Sequence, residues 1–310
     1  MLEITNTRMN HLIDPSLHIW GWEIPVYLFA GGMVAGMMLI LGFFFFKGRE
    51  KEVDCVCTNL PLLSIIILSL GMFALFLDLE YKLHVFRFYT TFIITSPMSW
   101  GSWILILVYP VLAVSLLLRL PKFVSKLIPK LEQYSNKLKS NRKLVKSVGI
   151  LNMVLGASLG IYTGVLLSTF QARPLWNSPI LALLFLVSGL SVSAAFVHMI
   201  AKSVYERELL AKADNAFLVT ELFVIFLFII GMVTSTKIHQ DAIALFLGGQ
   251  YTAVFWIFVV LMGIIIPLII QSLAISHKIK HTPLAPIFVI IGGLILRFVI
   301  VSAGQYSSWY

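Results

Sequence analysis

Five ionisable residues lie within or at the edge of strongly apolar runs: Glu23, Asp78, Arg173, Glu221 and Arg297. Hydrocarbon tolerates such groups only where they are paired or face water, so each marks proton exchange, charge stabilisation or a structural ion pair. Four of them, Glu23, Asp78, Arg173 and Arg297, fall near one end of their runs, whereas Glu221 falls about two turns from the other end. Arg297 is the costliest, and Asp78 or Glu23 is its expected partner. Tyr162, within Gly160-Ile-Tyr-Thr-Gly164, is expected within a few turns of the same end, where its hydroxyl can donate to a ligand or simply pack. Glu221 follows Asp214-Asn215 by about two turns and has no evident cation beside it. It reads either as a hydrogen bond across helices or as a proton relay running past Ser188 and Ser191.

Other chemistry is excluded by residue type. Haem held between membrane helices requires pairs of histidines at membrane depth, but of seven histidines only His198 falls in an apolar run. The two cysteines, Cys55 and Cys57, share one short connection and are too few for an iron–sulfur cluster or a four-ligand metal site. No haem, cluster or metal is therefore expected in this chain. A redox role would have to borrow a diffusible carrier and a cluster-bearing partner.

The elements that must position these residues are membrane helices. With 59% hydrophobic and 12% charged residues, most of the chain must be solvated by lipid or by itself. Runs long enough to span lie at about 24–46, 60–79, 100–120, 147–170, 180–200, 215–235, 251–275 and 284–304. The first enters through Trp20-Gly-Trp-Glu-Ile-Pro, which sets aromatics at the headgroups and a proline in the first turn. Gly32 and Gly36 follow on one face and invite close approach of a neighbour. The segment Leu83 to Ile94 reads as a loop or as an interfacial stretch. No removable signal peptide is evident, so the first run is expected to be retained.

The net charge of +9 would suggest nucleic acid in a soluble chain, but here it sorts by loop. Of the 23 Lys and Arg, 17 fall in the connections after runs one, three, five and seven, and five in the other connections. The positive-inside rule then sets both termini outside the cytoplasm and makes 121–146 the main cytoplasmic loop, with its lysines against anionic lipid. The expected organisation is an outer segment 1–23, helices one to three over 24–120, the loop 121–146, helices four to eight over 147–304, and an outer tail 305–310. A faint repeat relates Pro25, Leu28-Phe29 and Gly31-Gly32 to Pro179, Leu184-Phe185 and Ser188-Gly189.

Several separated motifs add up to a family resemblance. Trp20 to Gly32 with Gly36, Asp78-Leu79, Ser96-Pro-Met-Ser-Trp-Gly-Ser102, Tyr162 to Ser168, Arg173-Pro-Leu-Trp-Asn177 and Arg297 to Gln305 resemble the NrfD, or polysulfide reductase membrane subunit, family through nearly the whole chain. The resemblance implies an all-α integral membrane fold of eight helices in two four-helix bundles, in a bacterial or archaeal cytoplasmic membrane. It implies a menaquinone or ubiquinone site at the outer face and docking of a ferredoxin-like iron–sulfur subunit. That subunit would exchange electrons with a catalytic subunit of the molybdenum bis-pterin or multihaem type. Tyr162 carries the family position for the donor to a quinone oxygen. The same resemblance points to His18, Trp22, Arg173 and Asn177 as further contacts.

The residue types suit that expectation. Quinol oxidation releases two protons and two electrons, and so needs an apolar slot, a polar partner at each oxygen and a proton exit near water. Tyr162 can hold one oxygen, His18 or Asp78 can accept a proton, and Arg173 with Arg297 can stabilise negative charge. Two other classes compete. A secondary transporter predicts broken helices and a site near the midplane, and a pure anchor leaves buried Arg297 and Asp78 without a purpose.

Overall fold

The computed structural model describes residues 20–49, 54–170, 172–201, 203–279 and 282–307. Among the described residues, eight helices are long and apolar enough to cross a membrane. They are α1 (Glu23–Lys47), α2 (Asp54–Asp78), α3 (Pro97–Leu118), α4 (Arg142–Ser168), α5 (Ile180–Ile200), α6 (Val204–Val233), α7 (Val254–Ile275) and α8 (Leu284–Tyr306). Between them lie short helices, among them Arg87–Thr90 after α2, Pro129–Ser140 before α4 and Lys237–Ala244 before α7. The protein is therefore an all-helical, multi-pass membrane protein. Because the helices alternate in direction, one face of the molecule carries the basic 119–146 connection. The opposite face carries the start of α1 and the end of α8.

Helix ends follow local signals. Pro25 sits in the first turn of α1, where its missing N–H costs nothing, and Gly48 ends the helix at φ 76°, a left-handed conformation that suits glycine. α6 starts at Val204, about three turns before the expected position, because Ser203 and Glu206 form a capping box ahead of the apolar run. That box is legible as Ser-x-x-Glu, but an apolarity count passes over it. The first part of α7, Val254–Ile265, is wound as a π-helix.

α1 is the central helix and touches α2, α4, α5 and α8. Its crossing with α5 is close: a Cβ at Gly189 would run into the Gly32 carbonyl, and one at Gly36 into Ser193. Ser193 Oγ donates to the Met33 carbonyl across this crossing at 2.5 Å. α4 packs on α3 and α5, α5 on α6 and α8, and α7 on α8 and α6. α7 meets α8 where Gly263 lies against Gly292, with no room for a side chain on either.

Candidate functional site

At the face opposite the basic connection, a cavity of about 210 Å³, open at one end, lies among α1, α2, α3 and α4. Its walls are mostly apolar, including Ile24, Leu28, Met72, Leu75, Leu105 and Leu166. The polar groups that interrupt them are Tyr27, Asp78, Tyr89, Ser102 and Tyr162. Two expected residues, Tyr162 and Asp78, thus share one cavity. Tyr27 and Tyr89 join them. Tyr27 follows Glu23 by four residues on α1 and so faces the same way, a signal present in the sequence. Tyr89 comes from the short helix Arg87–Thr90, which no apolar periodicity announces. Burial, and next the phenol of Tyr109, hold the Tyr89 hydroxyl above the usual tyrosine range, so it remains a neutral donor.

Asp78 ends α2 at the rim, within electrostatic reach of Glu23 at the start of α1. Tyr162 is seated by Gly101: a Cβ there would fall within the phenol ring. The connection ahead of α3 is tied down close by. Ser99 Oγ accepts from the Ile93 N–H at 3.0 Å and donates to the Thr91 carbonyl, and Trp100 Nε1 donates to the Ile94 carbonyl at 2.7 Å.

Trp22, Arg173 and Asn177 do not line the cavity. Trp22 points outward and is exposed, and Trp20 supplies the wall instead. Trp20 is held by a clamp built from the segment that contains Arg173 and Asn177. Its indole stacks on Trp176 at 5.1 Å between centroids, and Gln305 Nε2 donates to its carbonyl at 3.0 Å. Arg173 Nη1 donates to the carbonyls of Gln305 and Ser307, and Trp176 Nε1 to that of Ile300 at 2.8 Å. Arg173-Pro-Leu-Trp-Asn177 therefore fastens the end of α8 to the start of α1. His18 lies outside the described residues.

Arg297 also stands away from this cavity, and its partners are not Asp78 or Glu23. Its guanidinium is 1% exposed between α5 and α8, close beneath Gly32 of α1. Nη1 donates to Ser188 Oγ at 2.5 Å and to the Gly293 carbonyl, and Nη2 to the Phe185 carbonyl at 3.0 Å. Glu221 is the acid within electrostatic reach of both this Ser188 hydroxyl and Arg297. The expectation that Glu221 has no nearby cation is thereby corrected. Both side chains project from well inside their helices: Arg297 is nine residues before the end of α8, about 13 Å.

Toward the basic face the polar network continues. Asp214 is fully buried, accepting from Ser191 Oγ and from Gln271 Nε2, each at 2.7 Å. Asn215 Nδ2 donates to Ser272 Oγ at 3.1 Å. Ser191 and Ser188, one turn apart on α5, thus lie next to two different charged groups, Ser191 donating to Asp214 and Ser188 accepting from Arg297, and Gln271 is a member that sequence reasoning missed. Among the described residues no cluster of His, Cys, Asp and Glu is placed to hold a metal ion.

An eight-helix membrane protein with a small phenol-lined cavity at one face and a buried acid and guanidinium network beneath it defines the class. Residues 8–307 match the family model described as polysulphide reductase, NrfD, and the protein belongs to that family. Among curated relatives, the C subunit of polysulfide reductase of Wolinella succinogenes is 29% identical, covering 93% of this sequence and 94% of that protein. Protein NrfD of Escherichia coli is 28% identical, over 93% of this sequence and 96% of its own length. The NrfD homolog of Haemophilus influenzae is 28% identical, over 93% and 95% respectively.

Proposed function

We propose that this protein is the quinone-reactive membrane subunit of a respiratory oxidoreductase complex of the polysulfide reductase kind. The observation that carries the reading is the cavity in which Tyr162, Tyr27, Tyr89 and Asp78 interrupt an otherwise apolar wall. A flat apolar ring with two oxygens matches that donor set, with Tyr162 donating to one oxygen and Tyr89 or Tyr27 to the other. The Asp78 carboxyl takes or gives the proton, and Glu23 beside it passes that proton to water at the rim. His18, just before the described segment, remains a candidate second acceptor. Quinone, menaquinone or ubiquinone, supplies the two-electron chemistry when bound. The electrons pass to or from a ferredoxin-like iron–sulfur subunit docked on the same face, and from there to a catalytic subunit of the molybdenum bis-pterin or multihaem type.

In this reading α1 to α4 form the quinone-binding bundle and α5 to α8 a second bundle. Both termini lie outside the cytoplasmic membrane, and the basic connection lies inside. The second bundle holds Asp214, Ser191, Glu221, Ser188 and Arg297, a ladder of hydroxyls and carboxyls suited to moving protons from the basic face toward mid-membrane. Arg297 acts there by holding Ser188 and balancing Glu221, and contributes to turnover through the path rather than at the quinone ring. The same mid-membrane cluster is what a secondary transporter would also show.

Isolation of the complex with its partner subunits tests the principal reading. Organic extraction is expected to yield an isoprenoid quinone, and reduced quinone is expected to drive electrons into the iron–sulfur subunit. Isolated complex that neither retains a quinone nor responds to quinol would leave the protein as an anchor.

A further inference from the structure

The connection between α2 and α3 is unlike the others on its face of the molecule. The α4–α5 connection tucks Leu175 and Trp176 inside, whereas the α2–α3 connection turns its large apolar side chains outward. Leu83 is 89% exposed, Ile94 72% and Tyr81 71%, and Phe86, Phe92 and Ile93 are each more than half exposed. The first three exceed Leu70 and Phe73 on the lipid-facing side of α2, and the other three come close to them. The surface is continuous with the membrane face of α3 as well: the Phe92 ring lies edge-on against Trp103 at 5.5 Å, and exposed Trp100 is hydrogen-bonded to Ile94. Lys82 and Arg87, both exposed, stand among these apolar groups, and their long cationic side chains can reach lipid phosphates.

A second, wider-open cavity of about 680 Å³ lies within this connection, its mainly apolar lining interrupted by Glu80, His84 and Arg87. It shares Leu79, Phe88 and Met98 with the smaller phenol-lined cavity, and Ile93 and Thr91 are among its other lining residues. The smaller cavity, at about 210 Å³, has room for a ring and little more. Any long apolar tail attached to that ring has to leave it, and the wall of Leu79, Phe88 and Met98 is where the larger space begins.

We propose that residues 80–96 are embedded in the outer leaflet, with Leu83, Phe86, Phe92 and Ile94 among the acyl chains. The larger cavity that this connection lines is the lateral portal through which an isoprenoid tail extends into lipid. The occupant of this surface is bilayer lipid. Continuity with the lipid-facing side of α3 carries that assignment, and the flanking cations Lys82 and Arg87 complement lipid phosphates. The portal rests on the quinone reading; the lipid contact does not.

The test uses the assembled complex in liposomes. Single cysteines replacing Leu83 and Ile94 are labelled with a small fluorophore and challenged with phospholipids brominated along the acyl tails. Both labels are expected to be quenched, and more strongly than a label at exposed Asn136 on the opposite face. Labels that brominated lipid leaves bright, or that become quenchable only when the iron–sulfur subunit is stripped away, would overturn the lipid assignment in favour of a protein partner. In parallel, Ile93→Trp narrows the larger cavity without touching the phenols. The ratio of KM for a long-tailed quinol to KM for a tailless analogue is expected to rise about tenfold. An unaltered ratio would overturn the portal. If wild-type complex oxidised neither quinol, the functional reading would fail while the quenching result still decided the lipid contact.

Discussion

Gly101 of α3 and Tyr162 of α4 fit together so closely that the phenol ring occupies the space where a side chain at 101 would be. The helix pair thereby fixes the ring rather than leaving it to choose among rotamers. Gly101→Ala is expected to displace the Tyr162 ring from its seat and lower quinol-dependent turnover by at least tenfold, about 1.4 kcal/mol in the barrier. Activity of the partner subunits with an artificial electron donor should persist. Comparing the two assays in purified complex checks the expectation, and equal losses in both would mean that the substitution harms assembly instead.

Tyr162→Phe removes one hydroxyl and almost no volume. A single hydrogen bond contributes about 1 kcal/mol, so quinol turnover is expected to fall roughly five- to tenfold with assembly intact. Rates at saturating and at limiting quinol read this directly, and no change at either would remove Tyr162 from the site.

The clamp at the same face makes a stability prediction. Gly304 of α8 leaves no space beside the Trp176 indole, which donates to Ile300. Gly304→Ala should force that indole out, loosen Trp20 stacked on it and cost about 1–3 kcal/mol as an overpacking strain. Thermal unfolding of the detergent-solubilised complex measures it, and an unshifted midpoint would show that the clamp yields without cost.

Orientation is testable at the basic connection. Ser135, half-way along Pro129–Ser140, is buried and a poor site for a reporter, whereas Asn136 next to it is exposed. A single cysteine at 136 should resist a membrane-impermeant thiol reagent in intact cells and react after permeabilisation. Reaction in intact cells would invert the topology and with it the side on which the phenol-lined cavity opens.

How much of this is legible in the sequence depends on the kind of signal. Apolar runs carry hydropathy over twenty residues, so all eight helices stand out, and Tyr162 and Asp78 show as polar groups toward the ends of such runs. Depth is harder. Sequence distance places Arg297 in the outer cluster and Glu221 at the opposite end because each is measured from the apparent end of its own run. The capping box at Ser203, however, extends α6 three turns past that end and shifts the frame. Once the helices are packed, the one-turn offset between Ser188 and Ser191 decides which charged group each meets, Arg297 or Asp214, and register between helices leaves no trace in either sequence segment. Tyr89 is invisible for a further reason: it reaches the cavity from a four-residue helix with no periodicity to read.

The last prediction concerns the Ser188 hydroxyl, which accepts from Arg297 and lies within electrostatic reach of Glu221. A buried guanidinium and a buried carboxyl set around one hydroxyl form either a structural tie between α5, α6 and α8 or a switchable link in a proton path, and two substitutions separate these roles. Glu221→Gln keeps the shape and hydrogen-bonding capacity but cannot carry a proton, whereas Ser188→Ala removes the hydroxyl between them while leaving both charged side chains in place. A structural tie predicts that Ser188→Ala is the worse of the two, losing assembled complex because Arg297 Nη1 then keeps only the Gly293 carbonyl. A path predicts the opposite order, with Glu221→Gln assembling normally but failing to couple quinol oxidation to membrane potential. Turnover and potential measured together in liposomes containing the whole complex give the answer. The path leads to an expected tenfold or greater loss of potential per electron for Glu221→Gln. A Gln variant that turns over and charges the membrane as the parent does would show that no obligatory proton passes through Glu221, and would leave Arg297, Ser188 and Glu221 as the bolt that holds three helices together.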